Sequence, residues 1–184
     1  MGNGESSYRR FLAGDNEGML EIVCEYQTEL MLYLNSYVQD IHMAEDLAED
    51  TFLELMLKRP KFSGKSSFKT WLFAIGRNIT VKHLRKYAKL SVVPLESQEY
   101  LAVEDDIEGN YIKTEQKRMV HLALHQLKLE YRQVLFLSYF EGFSITEIAL
   151  IMKKSEKSVK NYLYKAKIAL RSELERRGFD YEES

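Results

Sequence analysis

The chain has 184 residues, enough for one domain or two small ones, and its apolar and charged contents are those of a water-soluble protein. No run of about 20 apolar residues occurs, so no membrane span is expected. The N-terminus lacks a secretory apolar core, and the lone Cys24 excludes an internal disulfide, so the chain is expected in the cytoplasm. The net charge is only −2, which makes any long block of one sign stand out. Only two prolines occur, Pro60 and Pro94, both at apparent boundaries. With little β-branched alternation, that scarcity predicts an all-α protein.

Residues 1–14 read as a loose tail. Asp15 is placed to cap a long helix whose apolar positions are Leu20, Val23, Cys24, Leu30, Met31, Leu34, Val38 and Ile41, interrupted by Gln27. Cys24 falls in that stripe and is expected in the core rather than reactive. The next helix, about His42 to Lys58, turns Ala44, Leu47, Ala48, Thr51, Phe52 and Leu55 to one side. Asp46, Asp50, Leu53 and Leu57 lie opposite. Leucines beside carboxylates there form either a docking surface with an acidic rim or a seat under the first helix or the tail.

Pro60 ends this helix and Phe62-Ser63-Gly64 makes a turn. From Lys58 to Lys89 there is no Asp or Glu, while lysines and arginines recur throughout. Ser66 or Ser67 can cap a helix in which Phe68, Trp71, Leu72, Ile75 and Ile79 form a buried stripe. A second stripe, Trp71, Asn78, Lys82 and Arg85, joins a ring, an amide and two cations on one side. Rings stack on unpaired bases, amides read base edges and cations neutralise phosphates. Trp71 taken alone could equally be a core residue; the whole set favours nucleic acid.

Periodicity fails from Ser91 to Tyr111, where acidic and turn residues give a linker composition. Beyond it, Met119, Leu122, Ala123 and Leu127 continue one helix, and Val134, Leu135, Leu137 and Ser138 another. His121 and His125 have a chelating spacing, but no cysteine or placed carboxylate completes a metal site. Ser144 and Glu147 make a capping box for a short helix. A turn follows, and Ser155 caps a longer helix, which is the helix-turn-helix layout. Its second helix is expected to expose Glu156, Lys157, Lys160, Asn161, Tyr164 and Lys165 to a major groove.

Four stretches carry a resemblance: Ala44-Glu-Asp-Leu-Ala-Glu-Asp-Thr-Phe52, Phe62 to Leu72, Ala74-Ile-Gly-Arg-Asn78, and Leu127 to Ala169. In this order the chain resembles an extracytoplasmic-function sigma factor of the sigma-70 superfamily, over about residues 15–175. The resemblance implies two small helical domains, a region 2 bundle over 1–90 and a region 4 helix-turn-helix over 114–184, joined by a flexible acidic linker over 91–113. It implies core RNA polymerase as partner through the β′ clamp helices and β flap, promoter DNA as ligand, and an anti-sigma factor as restraint. No cofactor or metal is implied.

Asp46, Asp50, Leu53 and Leu57 would then meet polymerase. Ser63, Lys65, Trp71, Asn78, Lys82, Arg85 and Lys86 would read and melt the −10 element. Glu156, Lys157, Ser158, Lys160, Asn161, Tyr164 and Lys165 would read the −35 element. Two departures stand out. Lys153 and Lys154 occupy a turn where the family usually has Gly and an apolar residue. The recognition helix opens on Glu156-Lys157-Ser158 in place of small and apolar residues, so its base preference does not carry over.

The expected activity is promoter selection by binding, without catalysis. One rival is a helix-turn-helix regulator with a helical sensing domain, which leaves the acid-free block without a role. Another is a helical-bundle metal enzyme using Glu45, Glu49 and Glu54, which lacks the Glu-x-x-His pairing such sites need.

Overall fold

The computed structural model describes residues 4–90 and 111–179, with side chains for 4–88 and 118–179. Among these residues the chain is helical, without a strand. The N-terminal half is a bundle of α1 (Gly4–Leu12), α2 (Glu17–Val38), α3 (Ile41–Lys58) and α4 (Phe68–Leu90). The expected acidic linker lies outside the described residues up to 110; its last positions, from Tyr111, already belong to α5 (Tyr111–His125). Then come α6 (Leu129–Leu135), a π-helical turn (Phe136–Phe140), α7 (Ile145–Met152) and α8 (Glu156–Arg176).

α3 follows its sequence pattern residue by residue. Ala44, Leu47, Ala48, Thr51, Phe52 and Leu55 are all buried. Asp40 caps its start by accepting from the backbone N–H groups of His42 and Met43, which satisfies donors with no partner inside the helix. Arg59 closes its end in a left-handed conformation at φ 46° just before Pro60.

α2 differs in phase from the expected stripe. Its buried face is Met19, Ile22, Tyr26, Leu30, Tyr33, Leu34 and Tyr37, while Leu20 and Cys24 are exposed. Cys24 is therefore a surface thiol, not a core residue. The cause is the tyrosines, whose large rings bury more apolar area than Cys or Leu. Tyr33 and Tyr37 satisfy each other through a hydroxyl–hydroxyl hydrogen bond of 2.9 Å. The N-cap position of α2 falls on Asn16, whose side chain makes no cap bond; Asp15, one residue earlier, accepts from the Glu17 N–H at 3.0 Å.

The segment expected to be a loose tail contains α1, which is seated on α2 and α4. Tyr8 and Phe11 are buried. Gly18 permits this seat, because a Cβ there would lie 2.2 Å from the Ser7 carbonyl oxygen. The two carry one short helix that an isolated peptide could not maintain, since a helix of nine residues gains its stability from tertiary burial.

The C-terminal half buries Leu127, Val134, Leu135, Leu137, Ile148, Ile151, Met152, Val159 and Ala166, which join the core of the N-terminal bundle in one contiguous cluster. The two halves meet along α4 and α2. Phe143 packs edge-on against Phe73 with centroids 5.3 Å apart. Lys69 bridges Glu29 of α2 and Glu141, at 2.8 Å each. Glu147 accepts from the Thr70 hydroxyl at 2.9 Å, and Arg132 donates to the Ser36 carbonyl at 3.0 Å.

Candidate nucleic-acid interface

The first candidate surface grows from the turn between α3 and α4. Its backbone is fixed at both ends. The Tyr8 hydroxyl donates to the Pro60 carbonyl at 2.7 Å, and the Ser67 hydroxyl caps α4 by accepting from the Thr70 N–H at 3.1 Å. Of the two serines that could cap, Ser67 does so; Ser66 donates its hydroxyl to the Ser67 carbonyl instead. Phe62 folds back on Phe68 and Trp71, with centroids 5.7 and 5.1 Å away. Between these anchors Ser63, Gly64 and Lys65 project into solvent, with Gly64 at φ +69°, a conformation that glycine adopts without strain.

From this turn α4 carries Asn78, Lys82, Arg85 and Lys86 outward, all exposed. Trp71, expected on the same stripe, is half-buried. Its ring belongs to a cluster with Tyr8, Phe62 and Phe68, whose centroids lie 5.1 to 5.5 Å from it. The structure therefore gathers the amide and the cations on one face and makes Trp71 a wall of the aromatic cluster, with only part of its ring left for a base. Lys69, another cation of the block, turns away toward the C-terminal half. Burial lowers its pKa, but the bonds from Glu141 and Glu29 outweigh this and hold the ammonium above its ordinary value.

α3 places Asp46, Asp50, Leu53 and Leu57 on its solvent face. Leu53 is 48% exposed and Leu57 81%, so neither is seated under α1 or α2. Met56, at 44% exposed, extends the same patch and had no place in the sequence pattern. Asp46 and Asp50 form an acidic rim one and two turns before Leu53 and Leu57.

The second candidate surface is the pair α7 and α8. The capping box is present in full: Ser144 Oγ accepts from the Glu147 N–H, and the Glu147 carboxylate accepts from the Ser144 N–H. Burial raises the Glu147 carboxyl, but bonds from Ser144, Thr70 and Ser67 outweigh it and hold the group below its usual range. Lys153 ends α7 in the left-handed region at φ 53°, and Ser155 caps α8 by accepting from the Ser158 N–H. Ser158 thus serves the cap, its hydroxyl also bonded to Ser155 at 2.9 Å, and is half-buried rather than offered to a ligand. Glu156, Lys157, Lys160, Asn161, Tyr164 and Lys165 are exposed. Val159 is buried in the angle between the helices and Ala149 permits their close approach.

Sequence reasoning missed Tyr8, Thr70 and Glu141. Tyr8 and Phe11 stand at i, i+3, a faint sign of a helical face; nothing in the linear order pairs Thr70 or Lys69 with the C-terminal half. His121 and His125 form no metal cluster, and no group of three or more candidate ligands occurs among the described residues. No helix of the described residues is long and apolar enough to cross a membrane.

Comparison with known proteins finds a match in each half of the chain. Residues 22–90 match the family described as Sigma-70 region 2, and residues 117–170 match Sigma-70, region 4. The chain is 28% identical over 175 residues to the RNA polymerase sigma-H factor of Pseudomonas aeruginosa, covering 90% of this chain and 91% of that protein. It is 27% identical over 155 residues to the ECF RNA polymerase sigma factor SigX of Bacillus subtilis, covering 82% and 80%. Among solved structures it is similar to the sigma factor RpoE of Bartonella quintana, seen in complex with the anti-sigma factor NepR. That match has a TM-score of 0.69 at 25% identity, over 84% of this chain and 95% of that one.

Proposed function

The chain belongs to the extracytoplasmic-function group of the sigma-70 superfamily, and from that membership we propose how its surfaces divide the work of an alternative sigma factor. It binds core RNA polymerase and directs it to promoters; it works by binding, without a catalytic step of its own. The α3 patch of Leu53, Met56 and Leu57, rimmed by Asp46 and Asp50, docks on polymerase. α8 enters the major groove of the −35 element, and the region 4 half also meets the β flap. The turn at Ser63 to Lys65, and separately Asn78 about 15 Å farther along α4, hold bases of the −10 element that have left the stack. Lys82, Arg85 and Lys86 follow the backbone of that strand. Protein, polymerase and DNA meet in the cytoplasm, and an anti-sigma factor restrains the free protein, as NepR binds its similar partner RpoE.

The observation that carries this reading is the exposed Asn78 on one face of α4 with Lys82, Arg85 and Lys86, on a helix whose entering turn is anchored at both ends. An exposed amide in line with three cations offers a hydrogen-bonding group for a base edge beside a track for the strand's phosphates. Holding one unpaired base by stacking and hydrogen bonds is worth about 1–3 kcal/mol, similar to the cost of unpairing it. Capture is therefore near balance, and one lost contact matters. Asn78→Ala is expected to leave polymerase binding intact and to slow promoter opening about tenfold. A template already mismatched across the −10 element should recover most of the rate. Normal opening by Asn78→Ala on a fully paired promoter would remove Asn78 from the residues that hold a base.

A further inference from the structure

The start of the recognition helix departs from the family pattern, and the structure gives that departure a geometry. Glu156 is the first residue of α8 and is exposed. One of its carboxylate oxygens accepts from the hydroxyl of Thr146, an exposed residue of α7, at 2.8 Å. The two helices thus present a joined acceptor on the face that also carries Lys157, Lys160 and Asn161. The N-terminal residues of such a helix are the ones that reach base edges in a major groove.

A carboxylate brought against DNA meets phosphate repulsion and must find a donor to offset it. The nearby lysines compensate the phosphates, but they give Glu156 nothing to accept from in the groove. Only two groups there donate, the N4 amino group of cytosine and the N6 amino group of adenine. Adenine N6 stands beside N7, an acceptor that repels a carboxylate; cytosine N4 is flanked on its outer side by a C–H. We propose that Glu156 reads a cytosine in the −35 element and that Thr146 is its positioning residue, an inference that rests on α8 entering that groove.

A plainer role exists for the same atoms. A glutamate in the first helical turn favours the helix dipole, and the Thr146 bond fastens α7 to α8. Those contributions are equal for every DNA sequence. Base preference separates the two roles.

The test is selective transcription by holoenzyme from promoters randomised across the −35 element. Wild type is expected to prefer cytosine at one position by about five- to tenfold, the discrimination one good base contact gives. Glu156→Gln should turn that preference to adenine, because an amide matches the N6 donor and N7 acceptor together. Glu156→Ala should level this position and leave the others unchanged. Thr146→Val should blunt the cytosine preference, and Thr146→Ser, which keeps the hydroxyl, should retain it. If Glu156→Gln keeps the wild-type preference, or Glu156→Ala lowers transcription evenly across the library, the assignment is wrong. A wild-type holoenzyme that selects no promoter at all would overturn the sigma-factor function and this inference with it.

Discussion

The outward face of α3 and the flank of α4 both carry more apolar surface than the N-terminal bundle uses for its own core, yet one is bare and the other covered. On α4 the positions concerned are Thr70 and Phe73, 1% and 0% exposed, Phe73 stacking on Tyr33 of α2 with one face and meeting the C-terminal half with its other side. Their cover comes from the same chain, as Phe143, Glu141 and Glu147. On α3 the extra positions are Leu53, Met56 and Leu57, and no described residue covers them. Helical periodicity tells that a face is apolar; it does not tell who sits on it. A face covered from within marks an arrangement the protein can hold alone. A bare one, rimmed by carboxylates, has the makeup of a docking surface, the role proposed above for α3.

The largest expected effect is on the covered face. Glu141 has a side chain only 6% exposed, paired with Lys69. Burial pushes its carboxyl above the ordinary range, and the bonds from Lys69 offset only part of that. Lys69→Met would strand a buried carboxylate, which costs about 3 kcal/mol when the partner is lost. The free protein should then part along this seam at neutral pH, with a larger radius of gyration by small-angle X-ray scattering and unchanged helicity. Adding Glu141→Gln should restore the compact form, because no buried charge is left unpaired; Glu29, the other partner of Lys69, has a side chain 46% exposed and stays hydrated.

Acid should restore it too. The Glu141 carboxyl binds its proton more tightly in the closed state than in the open one, so closure of the Lys69→Met variant gains as pH falls through that raised value. An unchanged radius in the single variant would show that the remaining contacts, Phe73 with Phe143, Thr70 with Glu147 and Arg132 with Ser36, hold the seam without the ion pair.

Parting also follows from the proposed function. The −10 and −35 elements lie roughly 25 base pairs apart, about 85 Å at 3.4 Å per pair. A compact chain of this length has a radius of gyration of about 16 Å. The closed arrangement therefore cannot touch both elements at once, and polymerase has to hold the halves apart.

Next in size is the bare face. Leu53→Ser with Leu57→Ser should weaken core polymerase binding by roughly ten- to hundredfold, the loss of about 1–3 kcal/mol of buried apolar contact. Stability should stay within about 0.5 kcal/mol, since exposed positions contribute little to folding. Co-sedimentation with core enzyme and a urea unfolding curve would measure the two. A variant that unfolds would place both leucines in the domain's own core and leave polymerase docking without its main support.

The difference between these faces also sets how much was legible in the sequence. The α3 core stripe, the acid-free α4 with its serine cap, and the capped pair α7 and α8 could all be read, because each is a local pattern of period, cap and charge. The α2 stripe slipped in phase because tyrosine counts as half polar in a pattern, yet three tyrosines bury here once their hydroxyls are satisfied. α1 was missed because its few apolar residues mean little until α2 and α4 are folded beneath it. The seam was not legible at all. Lys69 and Glu141 are far apart in the chain, and their pairing depends on how two finished units meet.

The smallest expected effect is confined to the C-terminal half and leaves both faces alone. Lys153 holds the turn between α7 and α8 at φ 53°, ψ 48°, where a side chain crowds the following carbonyl and costs about 1 kcal/mol relative to glycine. Lys153→Gly should therefore stabilise this half by roughly 0.5–1 kcal/mol, less whatever the lysine contributes at the C-terminal end of the α7 dipole. Lys153→Ala is the control, removing the same charge while keeping the strained backbone. The glycine variant should unfold at a higher temperature than the alanine variant, and both should show the same promoter affinity. If Lys153 also touches a phosphate, both variants should bind promoter with a salt slope smaller by roughly 0.9 than wild type. Equal unfolding midpoints for the two variants would mean that the left-handed backbone carries no cost here. In that event the lysine is retained for its charge alone.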